Sequence, residues 1–453
     1  MAAASLTHFD ATMLAVALAR IRTGLDASDA HLHWVITAYL LAFGLVLLLG
    51  GRMGDVIGRR TMCLVGQGVF LAGAILAATS PNAELLIVAR TVQGVGAGLL
   101  MPQGAALIQQ LFPAASRGKA FAAMGVAFST ATTIGPVLSG AFLHFVSGPQ
   151  SWRWLFVLYI PISLTVLVGI WRLYPGPPDA LTSVTRRIDL LGATLAGVMV
   201  VSLLYPFMSQ GAVPWGQRPW FTVALGVVAG VLLTRHVRAR TARHEQGIID
   251  PKLWVVPDYP IGALVGALYF CGFTAVPVVL SLVLQEGHGL GPLATAALIA
   301  PWAVGNGIGA PFGGRAVVRW GRRVVIIGAF ISAAAVIAVA AGVACVHPPG
   351  LAYVVVPAML LGGIGTGLTI GPNLTVTLQH VDPVRAGGAS AVIQTGQRLG
   401  SALGTGMAVG VLFAVLSSGY DTAGGLALTV SAGFLVACAV MALIDVLRSP
   451  STG

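Results

Sequence analysis

Long apolar runs alternate with short polar stretches along the whole chain. The runs cover roughly 2–21, 33–52, 62–80, 84–112, 119–146, 152–173, 188–207, 219–236, 259–285, 293–313, 324–345, 351–379, 387–416 and 424–447. Each is close to the 20 or so residues that a helix needs to cross the hydrocarbon core of a bilayer. The pattern therefore predicts fourteen membrane-spanning helices. Runs well beyond 20 residues imply tilt, or ends that project from the membrane.

Composition agrees with the pattern. Of 453 residues, 57% are hydrophobic and only 9% are charged, against about 25% charged in soluble domains. The mean hydropathy is +0.89. Such a chain cannot coat a water-soluble particle with polar surface. No cleavable signal-peptide pattern is expected, because no early basic cluster precedes a short apolar stretch with a small-residue site. Cys63, Cys271, Cys345 and Cys438 all fall in apolar segments without a C-x-x-C partner. They predict inert packing residues, with neither a disulfide framework nor a metal site.

The net charge of +11 is a matter of topology. With both termini inside, the inner loops hold 19 of the 25 basic residues: Arg52, Arg59, Arg60, Arg117, Lys119, Arg172, Arg186, Arg187, Arg235, Arg238, Arg240, Arg243, Lys252, Arg315, Arg319, Arg322, Arg323, Arg385 and Arg448. The outer loops hold four: Arg20, Arg22, Arg153 and Arg218. This asymmetry is the positive-inside signal and orients the chain in the plasma membrane. It also predicts contact with anionic lipids and argues against a nucleic-acid partner. Arg90 and Arg398 remain, both inside apolar runs.

The chain repeats itself. "GRMGDVIGRR" at 51–60 aligns with "GRAVVRWGRR" at 314–323, pairing Gly51, Arg52, Gly58, Arg59 and Arg60 with Gly314, Arg315, Gly321, Arg322 and Arg323. "QGVGAGL" at 93–99 answers "GGIGTGL" at 362–368, and Arg117 answers Arg385. Three echoes in one order predict two homologous six-helix halves. These are an N-terminal bundle over 1–175 and a C-terminal bundle over 253–453, with an inserted helix pair and linkers over 176–252. Paired halves with a site near mid-membrane are a transporter architecture. Two charges are not repeated: Asp55 answers Val318, and Arg90 answers Met359.

These stretches resemble the major facilitator superfamily. "GRMGDVIGRR" is similar to its signature loop between helices two and three. "RTVQGVGAGLLMP" at 90–102 is similar to its helix-four motif, and "ATTIGPVLSGAF" at 131–142 to the helix-five motif of antiporters. "FDATMLAVALARI" at 9–21 with "HWVITAYLL" at 33–41, and "TGQRLGSALG" at 395–404, resemble the fourteen-helix drug:proton antiporter branch. The resemblance covers essentially the whole chain. It implies an all-α polytopic membrane protein of the major facilitator fold, with two six-helix bundles, two inserted helices and both termini cytoplasmic. The chain departs from the pattern at Ala131 and Ser139, where glycines are usual. It departs again at Tyr159, where asparagine is frequent, and at Ala19 and Arg20, where helix one often ends in proline.

The motifs have physical readings. Gly51, Gly54 and Gly58 allow a short loop to turn tightly, and Asp55 can accept hydrogen bonds at a nearby helix N-terminus. The resemblance implies that Gly51, Arg52, Asp55, Gly58, Arg59, Arg60 and Arg117 form a cytoplasmic gate. The plainer alternative is a topogenic basic loop. Gly94 and Gly98 follow Arg90 at one and two turns and make a flat face for helix contact. Gly135, Pro136 and Gly140 are the antiporter motif, where a proline within a helix removes one backbone hydrogen bond. Arg398 sits deep in its span, with Gln394 one turn before it. Arg398, Gln394, Tyr39, Gln103, Asn306, Asn373 and Gln397 are the candidates for a substrate cavity, the alternative being hydrogen bonds between helices.

Asp10 is the acidic residue expected at mid-membrane, because Ala2 to Ile21 spans 20 residues, about 30 Å of helix. The remaining acids lie at loops, span ends or the signature loop. A charged group inside the bilayer needs a partner or a cavity, and Arg90 is the partner expected. Burial raises a carboxyl pKa and a neighbouring cation lowers it. A carboxyl balanced between the two can load and release a proton, so Asp10 and Arg90 are the proton-coupling candidates.

No P-loop, catalytic triad or metal cluster is legible, so neither an enzyme nor a cofactor is expected. The expected function is proton-coupled efflux of hydrophobic drug-like or antibiotic molecules by a monomer, with substrate, protons and membrane lipids as partners. Alternatives on the same scaffold are export of a lipid or siderophore, and proton-linked uptake of a nutrient. A non-transporting membrane scaffold is disfavoured by the intramembrane charges.

Overall fold

The computed structural model describes residues 2–146, 148, 150–173, 189–208, 219–243, 247–346 and 350–448. The basic residues Arg186, Arg187 and Arg218 lie outside them. The described chain is helical, with α1 (Ala2–Leu25), α2 (Asp29–Ile57), α3 (Arg59–Ala78), α4 (Ala83–Leu111), α5 (Ala114–Phe145), α6 (Trp152–Leu173), α7 (Leu190–Met208) and α8 (Phe221–Ala242). Then come α9 (Tyr259–Phe273), α10 (Ala275–Leu282), α11 (Pro292–Ile299), α12 (Pro301–Trp320), α13 (Arg323–Cys345), α14 (Leu351–Leu378), α15 (Ala386–Ala414) and α16 (Tyr420–Arg448). One helix answers each apolar run, except that α9 with α10 and α11 with α12 answer one run each. Nine helices among the described residues are long and apolar enough to cross a membrane, and Leu190–Pro206 is a shorter apolar helix.

The signature stretch, which the sequence led us to expect as a loop, is helical except at Gly58. α2 runs on through Gly51–Ile57, and Gly58 alone makes the turn into α3, at φ +103°. A side chain at this φ would be strained, which is why a glycine stands there. The repeat keeps the device, since Gly321 turns between α12 and α13 at φ +52°. Gly51 has a different task. A Cβ there would stand 2.5 Å from the Ala391 Cβ and 2.6 Å from the Gly387 carbonyl oxygen, so its bare backbone admits α15. Arg117 and Lys119, expected in a loop, belong to the first turns of α5.

The chain forms two compact units. The first comprises residues 1–111, 131–253 and 382–395. Its core joins α1, α2, α3, α4 and α6 through Phe9, Met13, Tyr39, Phe43, Phe70, Leu86, Phe156 and Tyr159. A satellite cluster of Leu48, Ala196, Leu233 and Ala391 ties α7 and α8 to α2 and to the start of α15. The second unit comprises 112–130, 254–381 and 396–453. Its core runs through Val265, Val279, Val336, Val355, Leu412 and Leu435.

Candidate functional site

α1 and α4 bring together two charges that lie 80 residues apart. One guanidinium nitrogen of Arg90, Nη1, donates to Asp10 Oδ1 at 2.9 Å and Oδ2 at 2.8 Å. Each side chain is only 1% exposed, so the pair is shielded from water. Arg90 also donates to Gln93 Oε1 at 2.8 Å and to the Val35 carbonyl at 3.3 Å. Its guanidinium lies 4.3 Å from the centroid of the Tyr39 ring. The Tyr39 hydroxyl donates to the Thr7 carbonyl at 3.3 Å, returning to α1. α4 can approach α2 because Gly94 and Gly98 face the Tyr39 and Phe43 carbonyls. The close contact seats Arg90 against Val35 and Tyr39.

This arrangement has a chemical consequence. Removing one partner of a buried ion pair leaves an uncompensated charge, which costs about 3–5 kcal/mol. Protonating Asp10 has the same electrostatic effect on Arg90. Gln93, the Val35 carbonyl and the Tyr39 ring also face that charge. A pair whose cation has fallback partners can open without leaving a bare charge in apolar surroundings.

Two further residues join the pair. Gln93 lies one turn after Arg90, on the same face of α4. Tyr159 packs edge-on against Phe9, centroids 6.0 Å apart, and against Phe70 at 5.8 Å. Its hydroxyl donates to Met13 Sδ of α1 at 3.8 Å. Neither was among the sequence candidates. The helical spacing from Arg90 was the signal that could have found Gln93, and the departure at position 159 was the signal for Tyr159.

The second constellation is built on Asp55. Its Oδ1 accepts from the Gly387 N–H at 3.1 Å and its Oδ2 from the Gly388 N–H at 2.8 Å. These are free amide groups of the first turn of α15, where the helix dipole favours an anion. Arg59 pairs with Asp55 Oδ1 at 3.3 Å and also donates to the carbonyls of Ala106 and Pro383. Arg60 donates to the Trp171 carbonyl at 2.6 Å, and Arg52 is buried. Arg117 belongs to the second unit and donates to the Phe112 carbonyl at 3.1 Å.

The other candidates are placed as follows. Gly135, Pro136 and Gly140 fall on α5, with Gly135 buried and the side-chain surroundings of Pro136 and Gly140 outside the description. Ser139, one of the departures, donates to the Met13 carbonyl at 3.0 Å and so ties α5 to α1. Gln103 is fully buried and donates to the carbonyls of Gly50 and Leu99, a tie between α2 and α4. Asn373 is 3% exposed and donates to the Gly262 carbonyl at 2.9 Å. Gln397 lies beside it across Gly266. Gln394 donates to Ser390 Oγ at 2.8 Å. Asn306 and Arg398 are half-buried.

In the second unit the repeat has rebuilt its charge pair. Arg322, the counterpart of Arg59, pairs with Asp445 of α16 and with Asp258, and donates to the Asp258 carbonyl at 2.9 Å. Burial lowers the Arg322 pKa, and Asp445 and Asp258 act against it. With Val318 in place of an acid, this arginine takes its carboxylates from other elements.

A family model described as Major Facilitator Superfamily matches residues 1–405. A puromycin resistance protein of Streptomyces alboniger is 32% identical over 413 residues, 90% of this chain and 79% of that one. The "Probable actinorhodin transporter" of Streptomyces coelicolor is 29% identical over 410 residues, 90% of this chain and 70% of that one. A lincomycin resistance protein of Listeria monocytogenes is 26% identical over 418 residues, 92% and 86% of the two chains. A solved proton:xylose symporter superposes with a TM-score of 0.70 at 16% identity, covering 97% of this chain and 92% of that one. A human organic anion transporter superposes at 0.65 and 14% identity, covering 97% and 98%.

Proposed function

This chain belongs to the major facilitator superfamily, and on that premise we propose that it is a proton-coupled exporter of antibiotic-like amphiphiles in the plasma membrane, of the fourteen-helix drug:proton antiporter branch. The observation that carries the reading is the buried pair of Asp10 and Arg90. Relatives named for puromycin and lincomycin resistance and for actinorhodin transport support the substrate class.

The mechanism follows from the pair. Open to the outside, Asp10 takes a proton, its hold on Arg90 ends, and substrate leaves. Open to the cytoplasm, Asp10 releases the proton, the ion pair closes again, and substrate enters from the cytoplasm or the inner leaflet. The transporter comprises bundles over 1–175 and 253–453, with the inserted pair over 176–252. Asp55 of α2, which accepts from the first turn of α15, with Gly51, Arg52, Gly58, Arg59, Arg60 and Arg117, is the cytoplasmic gate. Gly135, Pro136 and Gly140 are the antiporter motif. Tyr39, Gln103, Asn306, Asn373, Gln394 and Arg398 contribute to substrate passage.

The test uses inverted membrane vesicles with an imposed pH gradient and puromycin, lincomycin and actinorhodin as probes. We expect gradient-driven uptake of at least one probe, lost in Asp10→Asn. Wild-type transport by Asp10→Asn with unchanged proton dependence overturns the assignment.

A further inference from the structure

Gln67 of α3 and Ser163 of α6 are both fully buried. Neither atom of the Gln67 amide, nor the Ser163 hydroxyl, has a protein hydrogen-bond partner. Buried polar groups of this kind are costly unless something satisfies them. The two residues stand at one level of the helix pair. Arg60 donates to the Trp171 carbonyl, Phe70 packs on Tyr159, and Arg153 donates to the Ala78 carbonyl, so α3 and α6 run antiparallel. Gln67 lies three residues before Phe70 and Ser163 four after Tyr159. At 1.5 Å per residue, both sit on the cytoplasmic side of that ring pair, level to within about 1.5 Å. Ser163 shares the face of Tyr159 one turn away, and Gln67 shares the face of Arg60 two turns away.

This seam adjoins the proton site. Tyr159, one turn from Ser163, reaches α1 on both sides of Asp10, packing edge-on against Phe9 and donating to Met13 Sδ at 3.8 Å. Gln93, which accepts from Arg90, packs on α3 at Gly73 and has its own Nε2 without a partner. Toward the cytoplasmic end the same face of α3 carries Cys63, then Arg59 and Arg60. Three unpartnered polar atoms at one level of the α3–α6 seam, two of them acceptors, match the groups a buried water bonds to. Resting on the reading of Asp10 as the proton site, we propose that Gln67 and Ser163 hold water that relays the proton from Asp10 toward the cytoplasm. In the step, the Asp10 carboxylic acid gives its proton to bound water. The carboxylate returns to Arg90 Nη1, and the excess proton moves along hydrogen bonds past Gln67 and Ser163 to bulk water. Gln67 and Ser163 are positioning residues, because they orient the water and do not exchange the proton themselves.

The test needs no substrate. Proteoliposomes on a solid-supported membrane are given a proton-concentration jump, and the transient charge movement is recorded. We expect a transient in wild type and none in Asp10→Asn. Gln67→Met with Ser163→Ala should keep the amplitude and slow the relaxation about tenfold or more, because the water loses the groups that orient it. Ser163→Thr, which keeps the hydroxyl, should relax like wild type. A wild-type relaxation rate in the double variant overturns the relay, and so does a loss of amplitude, because a relay changes rate and not the number of protons bound. A transient that persists in Asp10→Asn instead overturns the proton-site reading on which the relay rests.

Discussion

Arg90 holds both carboxylate oxygens of Asp10 with a single nitrogen, at 2.9 and 2.8 Å, and keeps its other contacts for Gln93, Val35 and Tyr39. A cation with spare partners survives the loss of its anion. We expect Asp10→Asn to fold and to lose gradient-driven export. Arg90→Met, which installs the residue of the repeat, should lose about 3–5 kcal/mol. Adding Asp10→Asn to Arg90→Met should restore part of that loss, because the orphaned carboxylate is gone. Thermal unfolding of the four proteins in detergent measures this cycle, and additive losses would disprove the coupling.

Asp55 accepts two N–H groups at the start of α15 and a guanidinium from Arg59. Hydrogen bonds to a charged group contribute about 1.5–3 kcal/mol each. If this contact is a gate, Asp55→Asn should increase the reactivity of a cysteine placed at Gly388 toward a membrane-impermeant thiol reagent added from the cytoplasmic side. Equal labelling with and without the substitution would leave Asp55 a topogenic residue only.

Gly51 offers a steric test of the same contact. Gly51→Ala drives a methyl into Ala391 and the Gly387 carbonyl, and overpacking of this kind costs typically about 1–3 kcal/mol. It should reproduce the Asp55→Asn labelling without touching any charge. Gly68→Ala is the control. Nothing stands within 4 Å of its Cβ position, and alanine is favoured over glycine in a helix by up to about 1 kcal/mol. Gly68→Ala should therefore be neutral or stabilising in thermal melts.

Asp189 precedes α7 and accepts from the Gly192 N–H at 2.9 Å, the Ile248 N–H at 3.1 Å and His236 Nε2 at 2.8 Å. Burial pushes its pKa up, but the hydrogen bonds from Gly192, His236 and Ile248 outweigh burial and hold it below the usual value. A depressed folded pKa contributes stability above the unfolded value near 3.9 and loses it as pH falls through the folded one. Melts from about pH 6 to pH 3 should show this acid loss in wild type. In Asp189→Asn the profile should be flatter, and parallel profiles would exclude the contribution.

Much of the fold was legible because a bilayer constrains a chain in one dimension. Apolar runs near helix length marked each described helix, with two of the runs each split between two helices. The turn at Gly58 was legible in part. The glycines were seen, but Gly51 and Gly54 lie within α2, because the helix continues until a residue with positive φ breaks it. Asp10 and Arg90 were visible as charges inside apolar runs. Gln93 and Tyr159 were not, because polar uncharged side chains are common in membrane helices and do not stand out.

By itself, then, the sequence determined an all-helical chain, its internal repeat, and the two charges that interrupt apolar runs of the N-terminal half. Only the tertiary structure decided which groups meet. Asp10 finds Arg90 because α1 and α4 pack in one core. Asp55 finds two amides 332 and 333 positions away because glycine at 51 admits α15. Gln67 and Ser163 come level because α3 and α6 run antiparallel. Periodicity reports how a side chain is set on its own helix. Which helix faces it depends on the close packing of several elements at once, and no local pattern encodes that.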